Sequence, residues 1–311
     1  MAVQLVTALA DLPQTGEGSV VTMGDFDGLH TGHRVLIEET ARRATANGLK
    51  SVLVTYEPSP KKILKKIATD SRLTTYKEKA ALLSDSPLDI VIFYPMTEQT
   101  IGISARTFLR EFLLGRLHMR QLVMGGDHHF GHNRRGNARY LTACAPRYHF
   151  ELHIISEQMT HDKRTSSSRI RAALAEGDVA TVAGILGRPY SVSGNVVHGE
   201  QRGRQLGFPT ANLMGDAEKL LPAIGVYYGV ALLQDGTRHR AVANLGKKPT
   251  LGNFAIGLEV HLLGFSGDLY GQELIFEFQG RLRGEQKFDS LDALRQQIAV
   301  DIAGGSAKIL L

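Results

Sequence analysis

The sequence has only one cysteine, Cys144, and it has no long hydrophobic run. A single cysteine excludes an intramolecular disulfide and a zinc cluster built from cysteines. No apolar run approaches the roughly 20 residues that a membrane-spanning helix needs. A secretory signal requires Lys or Arg before its apolar residues, and none precedes the first apolar residues here. These absences predict a soluble, cytoplasmic protein with no membrane partner.

The sequence also lacks a strong excess of charge of either sign. The formal net charge is +5; of the 36 Lys and Arg and the 31 Asp and Glu, residues 184–311 hold 13 and 12, which leaves 23 and 19 for residues 1–183. So small an excess, with no run of like charges, indicates solvated surface and a few phosphate-binding side chains. We therefore expect no nucleic-acid partner.

The 311 residues suffice for two domains, and the pattern changes at Gly187-Arg188-Pro189. Before this point apolar runs alternate with amphipathic stretches, which predicts an α/β domain with a mostly parallel, doubly wound sheet. The predicted strands cover residues 19–23, 51–56, 89–94, 121–124 and 150–155. The predicted helices cover residues 34–47, 76–84, 104–115 and 166–186, the last broken near Gly177. We expect domains over residues 1–186 and 187–311.

Residues 187–311 contain short alternating stretches that predict an antiparallel β barrel or sandwich. A single helix, predicted over residues 291–302, closes the chain. The predicted strands cover residues 190–198, 225–233, 238–243, 256–263 and 273–279.

The most informative motif is Gly24–His33, with the sequence Gly-Asp-Phe-Asp-Gly-Leu-His-Thr-Gly-His, directly after the first of these strands. Ligands of parallel α/β sheets bind at the carboxyl ends of the strands. His30 and His33 stand where the loop enters a helix, whose first N–H groups and dipole favour an anion. A histidine pair there suits the charge that develops when pyrophosphate leaves a nucleotide. The motif therefore predicts nucleotidyl transfer.

Two further clusters occur in the first domain. Residues 124–137 form a glycine-rich segment in which Asp127 is suited to organise a metal ion and Arg134 to meet phosphate; the alternative is a basic surface loop. Its histidines have no fixed helical or strand frame, which argues against a transition-metal site. The serines of residues 166–171 either cap a helix or, with Arg171 one turn in, cradle phosphate. Together with the histidine motif, we favour the cradle.

The second domain has its own phosphate-type motif, residues 203–212. A glycine-rich flap leads to Thr210 and Asn212, neutral oxygen ligands suited to Mg²⁺ beside phosphates, although an ordinary turn has similar residues. Glu259 lies in an otherwise apolar strand and is either a residue of the wet face or a general base. Arg283 and Glu285 belong to a polar stretch before the last helix, for which helix capping is the alternative.

The ordered set of motifs resembles the bifunctional bacterial riboflavin kinase/FAD synthetases over nearly the whole chain. The first domain is similar to the FMN adenylyltransferase module, with a nucleotidyltransferase-type Rossmann-like fold, and the second to the riboflavin kinase module, a β barrel with a closing helix. The matching segments are residues 24–33, 72–75, 125–136 and 166–171 in the first domain, and 203–212, 225–227, 244–250, 259–265, 268–271 and 282–288 in the second.

This resemblance implies two sequential reactions: phosphorylation of riboflavin to FMN by ATP, then adenylylation of FMN by a second ATP to FAD and pyrophosphate. Transfer of this kind relies mostly on positioning and charge neutralisation. The implied substrates are riboflavin, FMN and ATP, the implied cofactor is Mg²⁺, and we expect a monomer or a weak homo-oligomer.

The resemblance also implies roles for single residues. The implied catalytic residues are Glu259, the base of the kinase, and His30, His33 and Arg171, which steady the triphosphate. The implied nucleotide contacts are Gly24, Phe26, Asp27, Gly28, Ser167, Ser168, Gly203, Arg204 and Gly207. The implied flavin contacts are Asp127, Phe130, Arg134, Arg283 and Glu285. The implied metal ligands are Thr210, Asn212 and Asp127.

Four positions depart from the family pattern. Asp25 stands where the family has Asn or a small neutral residue, His128 replaces Phe, Ser59 replaces His, and Gly264 replaces Asp. Three of the four lie in the first domain, so one alternative is a riboflavin kinase with a weak or inactive adenylyltransferase module. A non-catalytic flavin-sensing regulator is another alternative, but every implied catalytic group is present. A nucleotidyltransferase for a different substrate explains the first domain and leaves the second unexplained.

Overall fold

The computed structural model describes residues 2–13, 15–65, 71–156, 159–160, 163–199, 202–247 and 256–311. Part of the motif at residues 244–250 therefore lies outside the described residues. The contacts divide the chain into two compact units, Met1–Ser166 and Ser167–Leu311. No helix among the described ranges is both long and apolar enough to cross a membrane.

The first unit is built on a six-stranded parallel sheet with strand order β1-β4-β3-β2-β5-β6. This confirms the predicted doubly wound sheet. Its elements in chain order are β1 (Gln4–Val6), β2 (Ser19–Met23), α1 (Thr31–Asn47), β3 (Lys50–Glu57), α2 (Pro60–Lys65), α3 (Tyr76–Ser84), β4 (Ile90–Pro95), α4 (Ala105–Thr107), β5 (Met119–Gly125), α5 (Ala138–Tyr148) and β6 (Glu151–Ile155), followed by the two-residue strands β7 (Met159–Thr160) and β8 (Lys163–Arg164).

The central strands are apolar because helices cover both faces of a parallel sheet. All five residues of β2 are buried, as are Ser51 to Tyr56 in β3. From β2 the chain builds β3 and β4 on one side and then crosses to place β5 on the other side. A ligand crevice forms at such a reversal, outside the carboxyl ends of the strands. The loops that follow β2 and β5 are the two glycine-rich motifs, so both lie at this reversal.

Some helices differ from the prediction. Helix α1 begins at Thr31 and not at Arg34, because the His30 side chain caps it. The helix predicted over residues 104–115 is α4 continued by a π-helical segment, Phe108–Leu114. Sequence reasoning missed β1, α2 and α5. The last of these is capped by Asn137 and contains Pro146, which in the sequence argues against a helix.

The second unit is a closed barrel of six antiparallel strands, which decides between the predicted barrel and sandwich. The strand order is β10-β13-β12-β11-β14-β9, and α9 packs on β11, β12 and β14. Its elements are α6 (Ser167–Glu176), α7 (Val179–Leu186), β9 (Tyr190–Val197), α8 (Arg202–Gln205), β10 (Ala211–Gly215), β11 (Gly225–Leu233), β12 (Arg238–Lys247), β13 (Ile256–Leu262), β14 (Glu273–Arg283) and α9 (Leu291–Ser306). The prediction missed β10, because its Ala211-Asn212 was assigned to a turn.

Helices α6 and α7 belong to the barrel unit by their contacts. Helix α7 packs on β9 and β14. At the end of α6, the Glu176 carbonyl accepts a hydrogen bond of 3.0 Å from Arg281 of β14, and the Leu174 carbonyl accepts one of 2.8 Å from Ala223 N–H. The division by contacts therefore falls after Ser166, while the domain boundary predicted after residue 186 stays a prediction.

Candidate active sites

The loop between β2 and α1 is held by the segment that precedes α3. The Asp27 carboxylate accepts hydrogen bonds from Leu73 N–H (2.9 Å) and Thr74 N–H (3.2 Å). In return, Gly28 N–H donates to the Thr74 hydroxyl (3.1 Å). Phe26 and Leu29 adopt left-handed backbone angles, with φ of 51° and 44°. Residues other than glycine rarely adopt this backbone conformation, so the surrounding contacts impose it. Asp27, predicted to contact the nucleotide, is buried and shapes the loop.

His30 and His33 lie at the N-terminus of α1, as the sequence predicted. His30 is the N-cap residue, and its Nδ1 accepts a hydrogen bond of 3.3 Å from His33 N–H. In a neutral imidazole this leaves the proton on Nε2. The two rings are stacked with centroids 3.6 Å apart.

His33 is neutral over the physiological pH range. Burial holds its pKa well below the usual value, and the charges of His30, Lys79 and His128 lower this pKa further. Its Nδ1 is buried and has no hydrogen-bond partner among the described residues. The helix start leaves its first N–H groups without partners inside the helix, and the first turn of α1 carries no acidic residue. This set of donors suits a phosphate group.

The predicted flavin residues in the loop after β5 differ in burial. Phe130 is buried in the core of the first unit and packs on Phe108, with ring centroids 5.8 Å apart. A Cβ at Gly136 would come within 2.6 Å of the Phe130 ring, so the glycine allows this packing. Phe130 therefore anchors the loop.

Asp127 and Arg134 of the same loop are exposed, and both have partners in the loop or beside it. Asp127 forms an ion pair with Arg164 of β8. Arg134 lies 3.2 Å from His129 Nδ1, which in turn lies 2.7 Å from the Asp127 carbonyl oxygen. The Asp127 carboxylate is thus engaged by Arg164, while Arg134 contacts His129, whose Nδ1 lies beside the Asp127 backbone.

His128 and Ser59 are two of the departures from the family pattern. Burial lowers the pKa of His128 to about 4, and its Nε2 is buried without a hydrogen-bond partner within the described ranges. Its ring lies nearly parallel to that of Phe130, with centroids 6.3 Å apart. Ser59 is buried, and its hydroxyl accepts a hydrogen bond of 3.2 Å from Lys62 N–H at the start of α2. Ser59 therefore serves as a helix cap.

Ser167, Ser168 and Arg171 lie in the first turns of α6. This helix belongs to the second unit by its contacts. The phosphate cradle that these residues are predicted to form with the histidines therefore stays a prediction.

The barrel brings the predicted kinase residues together. Asn212 of β10 lies directly opposite Glu259 of β13, and Glu259 lies directly opposite Asn244 of β12. Directly opposed residues of antiparallel strands share a face, with Cβ atoms about 5 Å apart. The flanking residues Leu258 and Val260 are buried in the barrel core. Asn212, Glu259 and Asn244, which we call the polar row, therefore share the other face; the sequence analysis did not single out Asn244.

Two glycines leave space for the side chains of Asn212 and Thr210. A Cβ at Gly199 would lie 2.6 Å from Asn212 Cγ, so only glycine leaves space for the amide. A Cβ at Gly203 would lie 2.5 Å from the Phe208 carbonyl oxygen and 3.2 Å from the Thr210 hydroxyl. Thr210 thus lies against the glycine-rich flap, and its role as a metal ligand stays a prediction. Sequence analysis missed Gly199, whose requirement depends on a side chain 13 positions away.

The remaining predicted residues of the barrel unit differ in their surroundings. Arg204 and Gly207 are exposed on the flap, and Gly207 has a φ of 87°. The Glu285 carboxylate lies 2.9 Å from the position that a Cβ would occupy on Gly246, beside the Asn244 amide. Glu285 therefore lies next to the polar row.

Arg283, predicted to contact the flavin, fastens α9 to the barrel. Its guanidinium donates to both carboxylate oxygens of Asp301, at 2.8 to 3.1 Å, and Gln297 donates to the same carboxylate at 2.9 Å. Asp301 is buried. A two-pronged pair of this kind gives strong geometric definition.

The oxygen donors of Thr210 and Asn212 fit Mg²⁺ beside phosphate groups. In the part of the chain that the structure describes, no group of three or more His, Cys, Asp or Glu side chains is placed to hold a metal ion. The oxygens of Thr210 and Asn212 are hard ligands, which Mg²⁺ accepts when the nucleotide phosphates supply the remaining charge.

Comparisons with known proteins give a consistent result for both units. A riboflavin kinase family model matches residues 186–308, and an FAD synthetase family model matches residues 12–169. The chain is 35% identical over 305 residues to the bifunctional riboflavin kinase/FMN adenylyltransferase of Pseudomonas fluorescens, covering 98% of this chain and 97% of that protein. It is 35% identical over 294 residues to the protein of the same name from Escherichia coli K12, covering 94% and 93%.

A solved structure has the same fold over the full length. This is the crystal structure of a Streptococcus pneumoniae protein described as a macrolide-efflux protein, with a TM-score of 0.88 and 29% sequence identity. The likeness covers 98% of this chain and 99% of that chain.

Proposed function

The chain belongs to the family of bifunctional riboflavin kinase/FMN adenylyltransferases, and from this premise we propose which residues carry each of its two reactions. It is a bifunctional enzyme of flavin-cofactor synthesis that phosphorylates riboflavin to FMN and adenylylates FMN to FAD. Both reactions use ATP. We assign the kinase reaction to the barrel unit and the adenylyl transfer to the unit with the parallel sheet.

In the kinase reaction Glu259 is the general base. Its carboxylate takes the proton of the riboflavin 5′-hydroxyl, whose oxygen attacks the γ-phosphorus of ATP while the bond to ADP breaks. The observation that supports this assignment most directly is the cross-strand pair of Asn212 and Glu259, which sets a base beside a metal ligand. Mg²⁺, when bound, neutralises phosphate charge. Thr210 and Asn212 would hold it, and the flap at Gly203 to Gly207 would contact the phosphates.

In the adenylyl transfer an oxygen of the FMN phosphate attacks the α-phosphorus of ATP, and pyrophosphate leaves. His30 and His33 donate hydrogen bonds to the triphosphate and stabilise the charge that develops on the leaving group. This assignment is supported by the position of both rings at the start of α1, where the Nδ1 of His30 accepts a hydrogen bond from His33 N–H. Ser167, Ser168 and Arg171 complete the phosphate contacts, and Asp127 and Arg134 serve the FMN side.

A riboflavin kinase with a weak adenylyltransferase unit is the second candidate. It is favoured by the ion pair of Asp127 with Arg164, which occupies a predicted metal ligand, and by the carboxylate of Asp25 near the predicted triphosphate position. For either candidate we propose a cytoplasmic enzyme that is a monomer or a weak homo-oligomer and binds no nucleic acid.

Purified protein with riboflavin, ATP and MgCl₂ tests the proposal. FMN should form first and FAD should follow with release of pyrophosphate, and chelation of Mg²⁺ should stop both. FMN without FAD identifies the second candidate. Flavin binding with no turnover contradicts both and leaves a flavin-sensing regulator.

A further inference from the structure

A lysine is buried under the loop between β2 and α1. Lys79 of α3 has a side chain that is only 1% exposed. Its Nζ donates to the Asp25 carbonyl oxygen at 2.6 Å and lies 3.4 Å from the Thr55 hydroxyl. The same Nζ lies 3.9 Å from a carboxylate oxygen of Asp25, whose side chain is half exposed. One ammonium group therefore faces both the backbone and the side chain of Asp25.

The hydrogen bond to the backbone does not by itself explain a lysine here. The Asp25 carbonyl oxygen also accepts a hydrogen bond of 2.9 Å from the Thr55 hydroxyl. That carbonyl would keep a donor if the ammonium were removed. What Lys79 alone adds is a positive charge, and a buried charge is costly unless an opposite charge compensates it.

The other charged groups near Lys79 have partners of their own. Arg72 forms an ion pair of 2.6 Å with Glu57, and the Asp27 carboxylate accepts from two backbone N–H groups. Burial lowers the pKa of Lys79, and the largest opposing influence is the Asp25 carboxylate. Asp25 is therefore the main compensating charge for Lys79.

We propose that Lys79 is a positioning residue for adenylyl transfer, which neutralises the Asp25 carboxylate and so keeps the loop before His30 able to accept a triphosphate. The inference rests on the proposed adenylyltransferase function of the first unit. Asp25 stands five residues before His30 in the same loop, and the charge of Lys79 acts on His33, so we expect an uncompensated carboxylate beside Lys79 to repel the nucleotide. One unit charge close to the phosphates changes affinity by about tenfold.

The test compares K79M, D25N and the double variant D25N/K79M in the full-length protein. K79M should raise the KM for ATP in FAD formation about tenfold, with kcat changed much less. D25N should lower this KM, because the ammonium then acts on the triphosphate unopposed. The double variant should return to within about threefold of the wild-type KM. K77M is the matched control, because it removes an exposed lysine from the same helix, and riboflavin kinase activity is the internal control.

If Lys79 only anchors the loop through its hydrogen bond to the Asp25 carbonyl oxygen, the result is different. A K79M defect that D25N does not relieve would overturn the proposal, and so would a K79M variant with the wild-type KM. If K79M does not fold, D25N decides alone: an unchanged or raised KM for ATP overturns the charge pair.

Failure of the proposed function is seen separately, as absence of FAD formation by the wild-type protein. ATP binding to the same variants is then followed through the Hε1 resonances of His30 and His33. We expect ATP to bind most tightly to D25N and most weakly to K79M. Equal affinities would overturn the proposal that Lys79 neutralises Asp25.

Discussion

The imidazole rings of His30 and His33 lie stacked, with centroids 3.6 Å apart and planes inclined by 13°. Two imidazolium ions at this distance would repel each other strongly. The low pKa of His33 removes the conflict, because burial keeps that ring neutral. The pair thus offers two hydrogen-bonding rings with at most one positive charge.

Replacement of either histidine by alanine should lower the rate of FAD formation from FMN by about 10²-fold or more, because donors aimed at developing charge contribute this much. The riboflavin kinase rate should stay unchanged. H132A is the matched control, since His132 is an exposed histidine of the other glycine-rich loop. Both rates are measured by separating FMN and FAD over time. A variant that keeps the wild-type rate of FAD formation contradicts the assignment.

The partly buried His33 should make the stability of the protein sensitive to mild acid. In the unfolded chain this histidine binds a proton with a pKa of about 6.5, while the folded protein holds its pKa well below that value. Below pH 6.5 the unfolded state therefore binds more protons, and stability falls as the pH falls toward the folded-state pKa. Urea unfolding at pH 7, 6 and 5 should show a shallower loss for H33Q. Parallel losses for both proteins would contradict this account.

E259Q should abolish FMN formation while FAD formation from supplied FMN survives. Loss of a general base costs about 10² to 10⁴-fold, and the amide keeps the shape of the polar row. E277Q is the control, because Glu277 is a strand carboxylate of the same barrel that pairs with Arg238. An E259Q variant with the wild-type kinase rate ends the assignment of the base.

G199A should lower the kinase rate through Asn212. The added methyl would lie 2.6 Å from Asn212 Cγ, so the amide must leave its place opposite Glu259. We expect a loss of about tenfold or more, since an ångström of misplacement at a reacting site costs up to about 10²-fold. G304A is the control, because an added methyl there meets no atom within 4 Å. Equal kinase rates for the two variants would show that Asn212 is not positioned by this contact.

The barrel unit should need α6 and α7. The sequence predicts that residues 187–311 fold alone, but the contacts of α7 with β9 and β14 favour a longer unit. A fragment of residues 167–311 should phosphorylate riboflavin and unfold at a higher urea concentration than residues 187–311. In the shorter fragment, Arg281 and Ala223 lose the carbonyl oxygens of Glu176 and Leu174. Equal stability of both fragments would place the boundary after residue 186.

The sequence alone predicts those helices and strands whose apolar residues follow a regular pattern. Strands β2, β3 and β4 were predicted within two residues, because parallel strands covered on both sides are continuous apolar runs. The cross-strand meeting of Asn212 with Glu259 follows from barrel closure, which no local pattern encodes.

Long-range contacts set the limit of prediction at the sites. Lys79, within Lys77-Glu78-Lys79, has the sequence of a solvated helix face, yet its side chain is buried under the loop between β2 and α1. Arg283 is predicted to contact the flavin, and the Asp301 carboxylate, 18 positions later, engages its guanidinium. In both cases the contact joins residues that are distant in sequence, so the local pattern does not reveal it.

The pairing of β10 with β13 joins residues about 50 positions apart, Asn212 and Glu259 among them. Contacts of such separation carry a high loop-closure cost and tend to form late in folding. The base and the metal ligand of the kinase therefore meet only when β10 has paired with β13. The return of riboflavin phosphorylation during refolding thus reports the time at which these two strands pair.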